Sequence, residues 1–363
     1  MNDVAGRNPK RARLDSDRVK LENSDVDDSD VKLVVHQNHP TLYFDDGNVL
    51  LSCESILFCV HRSIVSKHSP VLKALLDGPV KGTLRGLRHI MMQETPKDIE
   101  TVLNVIYEGL PIDPKITVES SPFLSRILRM CTKFQINRPC QEILQLIHAE
   151  WSSKLPDHDA KMEALRQQRT KDVPTHIMQN GVSVRNPAYD SNAADEEVVI
   201  NPASVIALLR ECRHNLPVLL TPLFYALSRG TWQFGGPAVG NHIAPLSHAD
   251  IERFIVGVER IRQQHADFVT QSPPIASIMS AHSQTCQAAL RAYWATLALA
   301  MLKATYGSRQ PVEDWASVIA QARTQKTPQS YGLCPGCTKA VLDDMETRRR
   351  RLWTDMPKHF ELV

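Results

Sequence analysis

The chain has 363 residues, 42% of them hydrophobic, with a formal net charge of +2 and a sequence pI near 8.1. That length holds two domains of ordinary size with a core in each, and the near-neutral balance excludes a global field directed at nucleic acid or an anionic membrane. No apolar run reaches the roughly 18 residues that span a bilayer. The best, Ala292 to Leu302, lies between Arg291 and Lys303 and reads as a buried helix.

Residues 1–38 carry the first charge-rich stretch. The first 35 hold seven basic and eight acidic residues and no aromatic, which predicts a disordered tail rather than a packed element. Its basic start lacks the apolar core of a secretory signal, so a nuclear or cytoplasmic address is expected, with the eight cysteines mostly reduced. Pro9 to Asp15, with Lys10, Arg11 and Arg13, resembles a short nuclear localisation signal; the alternative is an ordinary basic tail. Val19-Lys20-Leu21-Glu22 fits the pattern at which small ubiquitin-like modifiers attach to Lys20, and Ser24 ahead of Asp27 fits acidic-directed phosphorylation.

Residues 39–151 are densely patterned. Thr41 to Phe44 and Val49 to Cys53 read as strands and Asp45-Asp46-Gly47-Asn48 as the turn of a hairpin between them. Ser55 to Val60 reads as a further strand. The period then becomes helical, with Ile64, Val65, Val71, Leu72, Leu75 and Leu76 set around a break at Ser69-Pro70. A strand is predicted at Arg88 to Met92, and Thr95-Pro96 opens a helix with Ile99, Val102, Leu103 and Ile106 as its buried stripe, ending near Gly109. Phe123 to Phe134 and Glu142 to Trp151 supply two more amphipathic helices.

Asp46, Phe58, His61, Arg62, Ser69 and Pro70, with Leu72 and Leu76, stand in the order and spacing of the opening of a BTB/POZ domain, which this segment resembles. The wording around them, FDDGN ahead of the strand and VHRSIVSKHSPV after it, is similar to the BTB proteins abundant in mushroom-forming fungi. The resemblance implies an α+β fold, a small mixed sheet with a helical cluster, and homodimerisation. It also implies that Asp46 and Arg62 line a pocket shared at the dimer interface; the other reading is that both cap local backbone within one protomer. His61, at the strand-to-helix corner, is expected to be structural rather than a catalytic base. Some BTB domains bind a cullin scaffold through a hydrophobic-x-Glu motif after the second helix. The corresponding stretch, Asp77 to Leu87, contains no glutamate, and Met92-Gln93-Glu94 fits the letters only at the end of a strand. The role of substrate adaptor for a cullin ubiquitin ligase therefore stands as an alternative.

Residues 152–197 turn polar, with Pro156, Pro174, Asn180-Gly181 and Pro187, and read as a linker or insertion carrying a short helix at Lys161 to Arg169. Residues 198–363 are predicted to form an α-helical carboxyl domain. Asn201-Pro202 caps one helix, Ser247 and Asp250 form a capping box for another, and Cys286 to Leu302 makes a third. CPGC at Cys334 to Cys337, followed by RRRRLWTDMPKHFEL, is also similar to the carboxyl end of those fungal proteins.

Cys334 and Cys337 form a single CxxC, and zinc needs four ligands. His282 and Cys286, spaced H-x3-C, are the candidates for the other half; the competing reading is a reduced, helix-capping pair. Arg348 to Arg351 reads as a solvated helix face, the alternative being an added nuclear or nucleic-acid contact. GxxxxGK[ST], HExxH and GxSxG do not occur, so no enzyme and no cofactor other than zinc is expected, with a thiol- or zinc-dependent activity at the Cys pair as the rival from that class. No DNA-binding motif accompanies the chain. The expected work is protein-protein association: homodimerisation through the BTB face and recruitment of other proteins.

Overall fold

The computed structural model describes residues 36–80, 82–110, 116–117, 119–172, 176–179, 182–185, 200–229, 243–274, 284–305 and 310–363. The chain divides into two compact units, one of Met1–Pro114 with Pro122–Ile143, the other of Lys115–Ser121 with Leu144–Val363.

The first unit is built on a five-stranded sheet. Its strands are β1 (Gln37–Tyr43), β2 (Val49–Cys53), β3 (Ile56–Val60), β4 (Thr83–Leu84) and β5 (Leu87–Met91), in the order β1-β3-β2-β5-β4. The hairpin expected between Thr41 to Phe44 and Val49 to Cys53 does not form. Asp45 to Asn48 does turn the chain, with Gly47 N donating to Phe44 O, but Asn48 N then donates to Val60 O. β1 pairs in parallel with β3, and the hairpin is β2 with β3, closed by Glu54 and Ser55, with Glu54 at φ 51°. Burial accounts for this. Every residue of β2 is buried, so β2 sits inside the sheet with β3 antiparallel on one side and β5 parallel on the other. β1 buries only Leu42 and takes an edge.

Helices α1 (Arg62–His68), α2 (Pro70–Asp77), α3 (Pro96–Glu108) and α4 (Ser121–Phe134) complete this unit, and the chain division falls within α5 (Asn137–Glu150). The Ser69-Pro70 break is a cap. Ser69 Oγ accepts from Leu72 N at 3.0 Å and donates to Phe134 O at 2.6 Å, so one buried hydroxyl starts α2 and holds the end of α4. Thr95 caps α3 in the same way, accepting from Asp98 N, with Pro96 in the first turn.

The second unit is helical. Residues 152–197, read as a linker, contain the 18-residue α6 (Leu155–Asp172), longer than expected, and an antiparallel pair β6 (His176–Gln179) and β7 (Val182–Arg185) in which Gln179 faces Val182. Met162 of α6 is buried, and His158 and Asp159 reach partners far along the chain. Of the described residues in this stretch, α6 is tied into the unit by the buried Met162 and by single polar contacts that hydropathy does not register.

The remaining helices are α7 (Pro202–Glu211), α8 (Pro217–Arg229), α9 (His248–Thr270), α10 (Gln284–Thr305), α11 (Pro311–Thr324), α12 (Thr327–Ser330) and α13 (Pro335–His359). Asn201 caps α7 through Ala203 N, and Ser247 caps α9 through Asp250 N, as their sequences predict. α9 and α13 cross closely at Gly257. A Cβ built there would stand 2.1 Å from the ring of Phe360, which is fully buried and stacks on Phe224 at 5.2 Å.

Candidate functional site

In the first unit, the strand-to-helix corner gathers the charged residues singled out in the sequence. Asp46 and Arg62 are not paired with each other. Asp46 Oδ1 lies 3.1 Å from His61 Nε2 and its side chain is 84% exposed. Arg62 Nη2 donates to Asp77 Oδ1 at 2.7 Å, both side chains being about half exposed, while the Arg62 backbone N–H donates to Asn48 Oδ1. Pairs this exposed contribute about 0–1 kcal/mol each.

His61 sits between Asp46 and Tyr107. Its backbone N–H donates to Tyr107 Oη at 3.0 Å, Nδ1 is 3.0 Å from the same oxygen, and its ring packs against Phe44 and Tyr107. Burial raises the Tyr107 phenol, with the His61 N–H opposing and the Asp46 charge adding. The histidine thus fastens the corner to α3. The Asp77 to Leu87 stretch runs into β4, and Arg88 Nη2 donates to Gly78 O at 2.6 Å. Glu94 pairs with Lys133 at 2.6 Å.

In the second unit, the thiols of Cys286, Cys334 and Cys337 lie within 4.8 Å of one another. Cys334 is the N-cap of α13: its Sγ accepts from Cys337 N at 3.5 Å and lies 3.3 Å from Cys337 Sγ. Hydrogen bonds from the Cys337 backbone and thiol lower the Cys334 thiol below its usual value, whereas burial and the neighbouring sulfurs push Cys337 up to about 12. The capping role and the convergence on Cys286 therefore coexist. His282, the fourth residue of the sequence proposal, lies outside the described residues, as do Lys10, Arg11, Arg13, Lys20 and Ser24.

Arg348 to Arg351 is not one solvated face. Arg348 donates to Phe268 O, Gln271 O and Asp344, and Arg349 donates to Val312 O and to both carboxylate oxygens of Asp159, each with most of its side chain covered. Among the described residues, Arg350 and Arg351 make contacts within α13 and across the Phe268 ring. A helix turns about 100° per residue, so a four-residue run cannot keep all its charges on one side.

Sequence reasoning missed one site altogether. Glu313, buried at the start of α11, receives Tyr225 Oη at 2.5 Å and stands 2.7 Å from His158 Nε2. Arg229 Nε is 3.3 Å away but out of line for a directed hydrogen bond. Burial alone would raise the Glu313 carboxyl, yet the His158 contact, the Arg229 charge and the Tyr225 hydroxyl hold it at about 2; Tyr225, buried beside that carboxylate, is raised well above its usual value. A pocket beside the cluster, bounded by Trp151, Asp157, Lys161 and Pro222, encloses about 40 Å³. That admits water, whereas small-molecule sites occupy roughly 300–1,000 Å³. The cluster is a buried polar core.

With this geometry established, comparison with known proteins gives one correspondence. Residues 42–149 match the BTB/POZ domain family. The chain therefore carries a BTB/POZ domain, a protein-interaction module with a small mixed sheet and a helical cluster, followed by a helical carboxyl-terminal region. No curated protein and no solved structure matches the chain. Among the described residues, no helix is long and apolar enough to cross a membrane.

Proposed function

We propose that the chain is a homodimerising adaptor whose BTB/POZ domain joins two copies and whose helical region or amino-terminal segment recruits another protein. The supporting observation is the state of Asp46 and Arg62. Each is exposed and each pairs within its own chain, Asp46 with the partly covered His61 and Arg62 with the half-exposed Asp77, and exchanging such a pair for a counter-charge on a second copy costs little. In a two-fold interface an Asp46–Arg62 contact occurs twice, so its effect on partner choice doubles.

Sedimentation of the full chain tests this. A dimer at micromolar concentration is expected, weakened by Asp46→Lys and restored when Arg62→Asp is added to it. A strict monomer, or a dimer indifferent to both changes, overturns the reading. Capture of a cullin by the full chain, abolished by changes in Asp77 to Leu87, would instead establish the ubiquitin-ligase adaptor.

A nuclear regulatory setting is the finer part of the proposal and rests on Lys10, Arg11 and Arg13. A fluorescent fusion of the full chain is expected to concentrate in the nucleus and to lose that concentration when all three are changed to alanine. Equal distribution of both fusions would remove the nuclear part.

A further inference from the structure

We propose that Cys286, Cys334 and Cys337 form a three-thiolate site for a zinc ion that ties the start of α10 to the start of α13. A tetrahedral zinc with Zn–S bonds of about 2.3 Å places its sulfurs about 3.8 Å apart. One pair of the three sulfurs stands at 3.3 Å and all lie within 4.8 Å, so occupancy needs side-chain adjustments of no more than about an ångström, within reach of thiol rotation.

The scaffold is fixed around them. Cys286, Ala289, Leu290 and Tyr293 form a buried face of α10. The turn before α13 lies over that face: a Cβ built on Gly332, at φ 97°, would stand 3.7 Å from the Ala289 methyl, and Tyr331 meets Tyr293 edge to face at 5.6 Å. Two elements distant in sequence are thus held together by contacts independent of the cysteines, which pre-organises the thiols and lowers the entropic cost of binding. The amino-terminal end of the 25-residue α13 supplies the Cys337 N–H to Cys334 sulfur and a partial positive charge beside what becomes a net negative cluster.

The donor set selects the metal. Three soft sulfurs disfavour magnesium and calcium, which take oxygen, and suit zinc, with monovalent copper as the competitor. Binding releases thiol protons to solvent, and water or a further side chain fills the fourth position. The proposal is independent of dimerisation and fails or stands separately from it.

The full chain, purified under reducing conditions without chelator, is expected to contain about one zinc per chain. X-ray absorption should show three sulfurs and one lighter atom around it. Cys286→Ser and Cys337→Ser should each reduce zinc to below roughly a tenth of an equivalent, while Cys212→Ser, at the buried end of α7, retains it. Replacement by cobalt should give thiolate-to-metal charge-transfer absorption in the unsubstituted chain, a signal that does not depend on any variant folding. Absence of zinc after anaerobic reconstitution, exclusive filling by monovalent copper, or retention of zinc by the Cys286→Ser/Cys334→Ser/Cys337→Ser chain would each overturn the assignment.

Discussion

Replacing Glu313 by Gln removes the one negative charge that His158, Arg229 and Tyr225 converge on while keeping the side chain's shape. The carboxyl moves from an ordinary value of 4.5 to about 2 in the folded chain. At 1.36 kcal/mol per pH unit, that interval makes ionisation of Glu313 worth about 3 kcal/mol of folding stability at neutral pH. Because the folded value is depressed, this stability is complete above the unfolded value and is lost as pH falls towards 2, with roughly 1 kcal/mol remaining at pH 3. Glu313→Gln should therefore destabilise the second unit by about 3 kcal/mol at pH 7, and the gap to the parent chain should shrink by more than half at pH 3. The assay is urea unfolding followed by tryptophan fluorescence. All five tryptophans lie between residues 144 and 363, so the signal reports the second unit alone and avoids a two-state treatment of a two-unit chain. A Gln variant as stable as the parent at pH 7, or a gap that stays constant down to pH 3, would refute this account of the cluster.

Gly257→Ala should destabilise the same unit by about 1–3 kcal/mol, although alanine normally favours a helix, because the added methyl meets the enclosed Phe360 ring; the same fluorescence titration reads it, and unchanged or increased stability would contradict the packing. Ser69→Ala should cost the first unit about 1–3 kcal/mol, since it removes both the α2 cap and the donor to Phe134 O in a buried setting. Calorimetry would show this as a lowered transition with the tryptophan-reported one unmoved. Arg349→Lys should destabilise the second unit measurably, since an ammonium cannot serve Val312 O and both Asp159 oxygens in one plane; an unchanged urea midpoint would show the fork to be dispensable.

The parts of the fold that were readable from sequence are those set by local chemistry. Ser69-Pro70, Thr95-Pro96, Asn201-Pro202 and Ser247 with Asp250 place helix starts because cap and helix are neighbours in the chain. Strand pairing is not local. The Asp45 to Asn48 turn is a stronger signal than Glu54-Ser55, yet the pairing follows burial of β2, which is decided by α-helices and strands elsewhere. Asn180-Gly181, between β6 and β7, is a hairpin signal that the surrounding polarity hid. Of the site residues, Cys286, raised from its spacing as a companion of Cys334 and Cys337, stands beside them, while His282 lies outside the described residues. Glu313 could not be found this way. An acidic residue in the first turn of a helix is ordinarily solvated, and its partners stand 155 and 88 residues away with no shared period.

The contacts of α6 set where the carboxyl-terminal unit can be cut free. A fragment beginning at residue 198, where composition changes, would lack the Ser153 carbonyl that receives Trp353 Nε1, the Asp159 carboxylate that holds Arg349 and the His158 ring against Glu313. It would leave a cation and an indole facing the gap left by the missing helix. Excision ahead of Trp151 keeps all three, so the recombinant boundary for the helical region lies before the polar stretch rather than after it.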